Sequence, residues 1–259
     1  MSACLIPMIK FDLRSAKKTL SQISLIVAIS GLALRSAQAE TIQGGTFIAG
    51  FDESGFGLLG LTTINSFDQA ASNSLTQTQI LSDPGTTNLW GSIPFGVNPT
   101  TPLYVSGTPT GRNLQNTNFS YNPADLTGTA AGQIGIGGTS RWGGFSTFVL
   151  GDYSLQYDSA RAGGVYSGWY LTNNFDLPGI AFDLANITAP VVTPGGFSFS
   201  GDLYVKAGSP LTAFGFSGNT DYGNFSLNAS VVPEPSSLAL LLLGTGAILH
   251  IRRRRALSA

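Results

Sequence analysis

Phe197, Phe199, Leu203 and Val205 share one parity, while Ser198, Ser200, Asp202 and Lys206 take the other. A period of two puts alternate side chains on opposite faces of an extended chain, so this run predicts a β-strand with one apolar and one wet face. Gly201 within it reads as a bulge. The pattern recurs. Phe225, Leu227, Ala229 and Val231 alternate with Asn224, Ser226, Asn228 and Ser230. Tyr153, Leu155 and Tyr157 alternate with Asp152, Ser154, Gln156 and Asp158, and Ile180, Phe182 and Leu184 follow the turn residues Pro178 and Gly179. Half-buried strands need a partner layer, so the expected fold is all-β: a single antiparallel β-sandwich or jelly-roll-like domain. Residues 75–111, rich in Thr, Asn, Pro and Gly with little alternation, read as a long loop, and the glycine-rich stretch 132–144 as a second. A weak echo joins Gly143-Gly144-Phe145-Ser146 and Gly151-Asp152 to Gly195-Gly196-Phe197-Ser198 and Gly201-Asp202, which suits a repeated hairpin.

The two ends differ from this middle. Lys10, Arg14, Lys17 and Lys18 precede an apolar run from Ile23 to Leu34, followed by Ala37-Gln38-Ala39 and then Glu40. Basic segment, short apolar block and small-residue exit, in that order, predict a secretory signal peptide over 1–39, cut by signal peptidase between Ala39 and Glu40. At the other end Val232-Pro233-Glu234-Pro235 leads into a nearly continuous apolar run from Leu238 to Ile251, closed by Arg252, Arg253, Arg254 and Arg255. The sixteen residues 236–251 would rise about 24 Å as a helix, somewhat short of the roughly 30 Å hydrocarbon core. The four arginines would act as a stop-transfer signal and stay cytoplasmic. Pro233 and Pro235 fix φ and remove two donors, leaving the junction extended and open to a protease.

Pro-Glu-Pro, a short apolar span and a terminal arginine cluster together resemble the PEP-CTERM sorting tail. The resemblance covers 233–259 and implies an exosortase as processing partner, transient anchoring in the inner membrane, and delivery to the cell surface or extracellular matrix of an exopolysaccharide-associated system. The segment from Phe148 to Val232, with Gly151-Asp152-Tyr153, Gly168-Trp169-Tyr170 and Gly201-Asp202-Leu203, also resembles the β-rich region that precedes such tails, a resemblance that brings no catalytic activity to the domain over 40–232.

That domain is acidic. Of its basic residues there are only Arg112, Arg141, Arg161 and Lys206, against twelve carboxylates, a formal charge of −8 that argues against nucleic acid as a partner. Cys4 and His250 lie in the terminal segments, so the domain has neither residue type. Disulfides, Ser-His-Asp and Cys-His catalysis, and His- or Cys-ligated metals are thereby excluded within it, and no cofactor or metal is expected. What survives is carboxylate chemistry, as in a glycosidase, or oxygen-ligated calcium. Gly135-Ile136-Gly137-Gly138 lacks a following Lys-Ser or Lys-Thr and reads as a turn rather than a phosphate loop. Asp52-Glu53-Ser54-Gly55 lacks EF-hand spacing and reads as a solvated turn. Trp142, Trp169 and Tyr170 admit two readings: inward-packing aromatics, or an exposed platform on which a sugar ring stacks. The leading functional expectation is therefore a noncatalytic exported surface or matrix protein, with a carbohydrate-binding module retaining exopolysaccharide as the alternative and a glycosidase behind both.

Overall fold

A computed structural model describes residues 39–67, 75–83, 91–98, 112–144 and 147–231. The predicted signal sequence, save Ala39, and the predicted tail and span lie outside the described residues. Among the described residues no helix is long and apolar enough to cross a membrane.

The first strand, β1 (Glu40–Phe51), begins at Glu40. It is followed by β2 (Thr62–Phe67), β3 (Gly91–Val97), β4 (Ser120–Tyr121), β5 (Ile134–Gly143), β6 (Phe148–Tyr157), β7 (Tyr166–Asn173), β8 (Gly179–Ala185), β9 (Val191–Thr193), β10 (Gly196–Val205) and β11 (Thr220–Val231). Eight of these, β1, β3, β5, β6, β7, β8, β10 and β11, pair antiparallel in chain order, and β11 then pairs with β1. The sheet closes on itself as an up-and-down barrel, with β2 pairing with β5 off this path. The expected two-sheet sandwich or jelly roll is thus replaced by one closed sheet. Alternation shows which face of a strand is dry, but it is the same for a sheet facing a second sheet and for a sheet facing its own far wall.

The inward faces fill the barrel with aromatic rings. Phe47 stacks on Phe225 at 5.7 Å, Phe95 meets Tyr153 edge-on at 5.7 Å, and Phe199 meets Phe225 edge-on at 5.7 Å. Toward one end Phe119, Tyr121, Trp169 and Phe197 continue the column; toward the other stand Phe51, Trp142 and Phe182. Each such burial contributes about 1.5–3 kcal/mol, with offset and edge contacts adding to it. The interior is a packed core rather than a lumen.

A short helix, α1 (Glu53–Leu58), closes the second end. Asp52 is its N-cap, accepting from the Ser54 amide at 3.0 Å, so the tetrad 52–55 is a helix start. The cap aims Phe56 inward, where its ring stacks on Trp142 at 4.2 Å and meets Phe216 and Tyr222 edge-on.

Two stretches expected to be loops contain regular structure. Within 75–111 lie β3 and a helix, α2 (Gln77–Ser82), started by a capping box in which Thr76 and Gln79 satisfy each other's amides. Ile93, Phe95 and Val97 of β3 point into the core. Pro94 is tolerated because, among the described residues, β3 has a ladder on one side only at that point. Residues 132–144 are mostly β5, whose pattern is hidden because the strand is buried on both faces. Its glycines admit close neighbours: a Cβ on Gly135 would stand 1.9 Å from the Gln115 carbonyl oxygen.

The register of β10 against β11 slips between Asp202 and Tyr204, past Gly201, and the extra residue lies on β11 between Asp221 and Asn224, so the expected bulge at Gly201 falls on the partner strand instead. The other half of the sequence echo behaves alike, since the β5–β6 register slips between Ile136 and Thr139, opposite Asp152. Both Gly-Asp pairs therefore mark a place where a long barrel strand changes register.

Candidate functional site

Trp142 and Trp169, which the sequence offers for a sugar-stacking platform, both have 0% exposure. Trp142 lies under α1, its indole donating to Ser140 Oγ at 3.0 Å. Trp169 sits among Phe119, Phe197, Phe199 and Tyr157. Tyr170 is half-buried, and the guanidinium of Arg161 lies over its ring at 4.9 Å. The platform is therefore not formed by these residues. An odd-numbered Trp169 between inward-facing neighbours on a strand belongs to the core face, and the sequence could not say whether that face met a ligand or another wall.

The basic residues missed by sequence reasoning are built into the fold. Arg112 donates through Nε and Nη2 to the two carboxylate oxygens of Asp152, both at 2.6 Å, and through Nη1 to the Leu75 carbonyl at 3.0 Å. Both side chains of that pair are wholly buried. Burial raises the Asp152 carboxyl above its ordinary value, and the two Arg112 donors oppose that rise. Asp152 adopts a positive φ of 46°, a conformation Asp tolerates, which turns its carboxylate out of the barrel. Around the pair, Ile80 of α2, Val149 of β6 and Phe175 form a second small core outside the barrel, with the guanidinium 5.3 Å from the Phe175 ring centre. This layer covers the outer face of β6. Arg161 similarly clasps buried Asp183 at 2.9 and 2.7 Å, Arg141 donates to the Asp83 carbonyl, and Lys206 lies over the Tyr166 ring at 4.9 Å. Every basic side chain of the domain is thus in contact with an acceptor or a ring. No sequence signal distinguishes these residues from ordinary surface charges.

Among the described residues a shallow cleft of about 380 Å³ lies on the outer wall, where Asp52, Asp202, Asp221 and Asn224 meet Gly50 and Ser92. It lies across paired positions: Asp202 opposes Asn224, Asn224 opposes Gly50, and Gly50 opposes Ser92. The missing side chain at Gly50 makes the depression. Each carboxylate already has a donor, from Ser54 to Asp52, from the Asn186 amide to Asp202 at 2.8 Å, and from the Gly223 amide to Asp221 at 2.9 Å. Burial pushes the Asp221 carboxyl up, the Gly223 amide pulls it back, and Asp202 and Asp52 add to the rise. Among the described residues no group of three or more His, Cys, Asp or Glu side chains is placed to hold a metal ion. The arrangement can attract cations weakly, and its hydrogen bonds are those of turns and strand ends.

The domain is, in class, a small acidic up-and-down β-barrel with an aromatic-filled core. Its defining functional segment is the one that follows the last strand: residues 231–255 match the family model of the PEP-CTERM protein-sorting motif. The chain carries that motif, which implies export, anchoring in a membrane and processing by an exosortase. No curated protein matches the chain.

Proposed function

We propose that this is a noncatalytic exported protein, delivered by its sorting tail to the cell surface or the extracellular matrix of an exopolysaccharide-producing system, with the barrel as its durable cargo. One observation carries the reading: the sorting motif begins at Val231, the last residue of the strand that closes the barrel. Fold and address therefore abut with no intervening domain. A packed aromatic interior and a domain free of His and Cys support a structural rather than catalytic role.

Mass spectrometry of the protein's termini tests this. Mature protein is expected to begin at Glu40 and to lack Arg252–Arg255, and replacing Pro233, Glu234 and Pro235 together by alanine is expected to block loss of the tail while the β-type circular dichroism persists. Surface-located protein that keeps its arginine tail would reduce the tail to a permanent anchor. Turnover of the producing strain's own polysaccharide, abolished by mutating one Asp, would overturn the noncatalytic part.

A further inference from the structure

Both chain ends of the barrel emerge at the same rim. Val231 opposes Ile42 near the start of β1, and its amide donates to the Gly195 carbonyl at 2.9 Å, so the chain is held in the wall up to its last described residue. The start of β1 is fastened there too, with the Tyr121 hydroxyl donating to the Glu40 carboxylate at 3.0 Å. Phe51 and Gly223, paired at the other limit of the same ladder, adjoin α1 at the opposite rim.

Between Val231 and the expected membrane span over 236–251 the sequence supplies Val232, Pro233, Glu234 and Pro235. Fully extended, that connection reaches at most about 18 Å. The twelve residues of β11 extend about 40 Å, and a tilt of about 35–45° in a barrel wall makes this about 30 Å of height. The tether is shorter than the barrel is tall, so the domain cannot invert over its anchor. A formal charge of −8 also repels anionic headgroups, so nothing electrostatic draws a side wall down.

We propose that, while the tail is in place, the barrel stands on the membrane with its Glu40/Val231 rim toward the bilayer, and presents the α1 end outward. This rests on the anchored reading proposed above. The outward end then carries Leu58, 89% exposed, and Glu53, while the turn following β4, with exposed Ala124 and Thr127, faces the headgroups. The β4 turn takes that side because Tyr121 opposes Glu40 and the chain continues past the start of β1.

The domain's lack of cysteine makes the test direct. In a full-length Cys4→Ser chain, expressed where no exosortase acts, single replacements Leu58→Cys and Ala124→Cys are labelled with a bulky polyethylene-glycol maleimide, first in spheroplasts and then after detergent extraction. Leu58→Cys is expected to react equally fast in both, and Ala124→Cys several-fold more slowly before extraction than after. Thr127→Cys repeats the near-membrane probe at a second position, equal labelling of all three in detergent shows that each thiol is accessible, and an unchanged cooperative thermal unfolding of each purified variant verifies that the fold is kept. Membrane-bound protein whose two ends react alike, or whose Leu58→Cys is the protected one, overturns the orientation alone. Tail-bearing protein in the soluble fraction overturns the anchored reading and the orientation together.

Discussion

The wall made by β10, β11 and β1 and the wall made by β5 and β6 belong to the same barrel and share its core, yet they differ in what covers them. On the first, Ser198, Ser226 and Asn228 face solvent between buried Phe197, Phe225 and Leu227. On the second, Asp152 is buried in its pair with Arg112 beneath the outer layer that includes α2, and Ser154 is buried where the Asn174 amide donates to it. The difference teaches that alternation reports water on the outer face. Where a second layer replaces water, polar groups such as Asp152 and Ser154 are held by an ion pair or a hydrogen bond, and the periodic signal fades.

The largest expected effect tests what both walls share. Trp142→Ala removes a fully buried ring stacked on Phe56 and should cost about 3–5 kcal/mol, read as a shift of the chemical denaturation midpoint. If the fold were unaffected, the barrel would not depend on its aromatic column.

Arg112→Met strikes the covered wall alone. It strands the Asp152 carboxylate in a dry site and should cost about 3–4 kcal/mol, with much of that recovered by adding Asp152→Asn. Failure of the second change to rescue the first would show that Arg112 acts through its contact with Phe175 and Leu75 rather than by neutralising Asp152.

A smaller loss is expected for Gly135→Ala. The new methyl would press on the Gln115 carbonyl, costing about 1–3 kcal/mol in thermal unfolding. Ser226→Ala, on the wet wall, should stay within about 0.5 kcal/mol of the parent. Equal effects for the two would erase the distinction between the walls.

Asp221→Asn refines the wet wall itself. It keeps an oxygen for the Gly223 amide, removes the cost of partly burying a charge, and relieves repulsion from Asp202 and Asp52. Because the folded carboxyl is raised above its unfolded value, the charge weakens folding as pH rises through the folded value. The substitution should therefore stabilise by at most about 0.5 kcal/mol at neutral pH, given its exposure, and the gain should vanish below pH 3.8, where the parent is protonated in both states. A loss of stability at neutral pH would contradict a carboxylate raised by burial and by its acidic neighbours.

By itself the sequence determined the inward faces of β10 and β11, because each of those strands has water on one side. It also carried the sorting motif whole, since Pro-Glu-Pro, the apolar run and four arginines act through local order and need no tertiary partner. The capping box at Thr76 and Gln79 and the alternation of Ile93, Phe95 and Val97 were equally local and lay in plain view within the presumed loop 75–111. Tertiary structure alone decided the closure of β11 onto β1, separated by the full length of the domain, because a ladder's partner is chosen by backbone pairing that leaves no residue signature. It decided, too, that Trp142 and Trp169 are core and not platform, and that Arg112 finds Asp152 forty residues away. Burial and ion pairing are properties of what lies opposite a side chain, and a one-dimensional pattern records only the side chain itself.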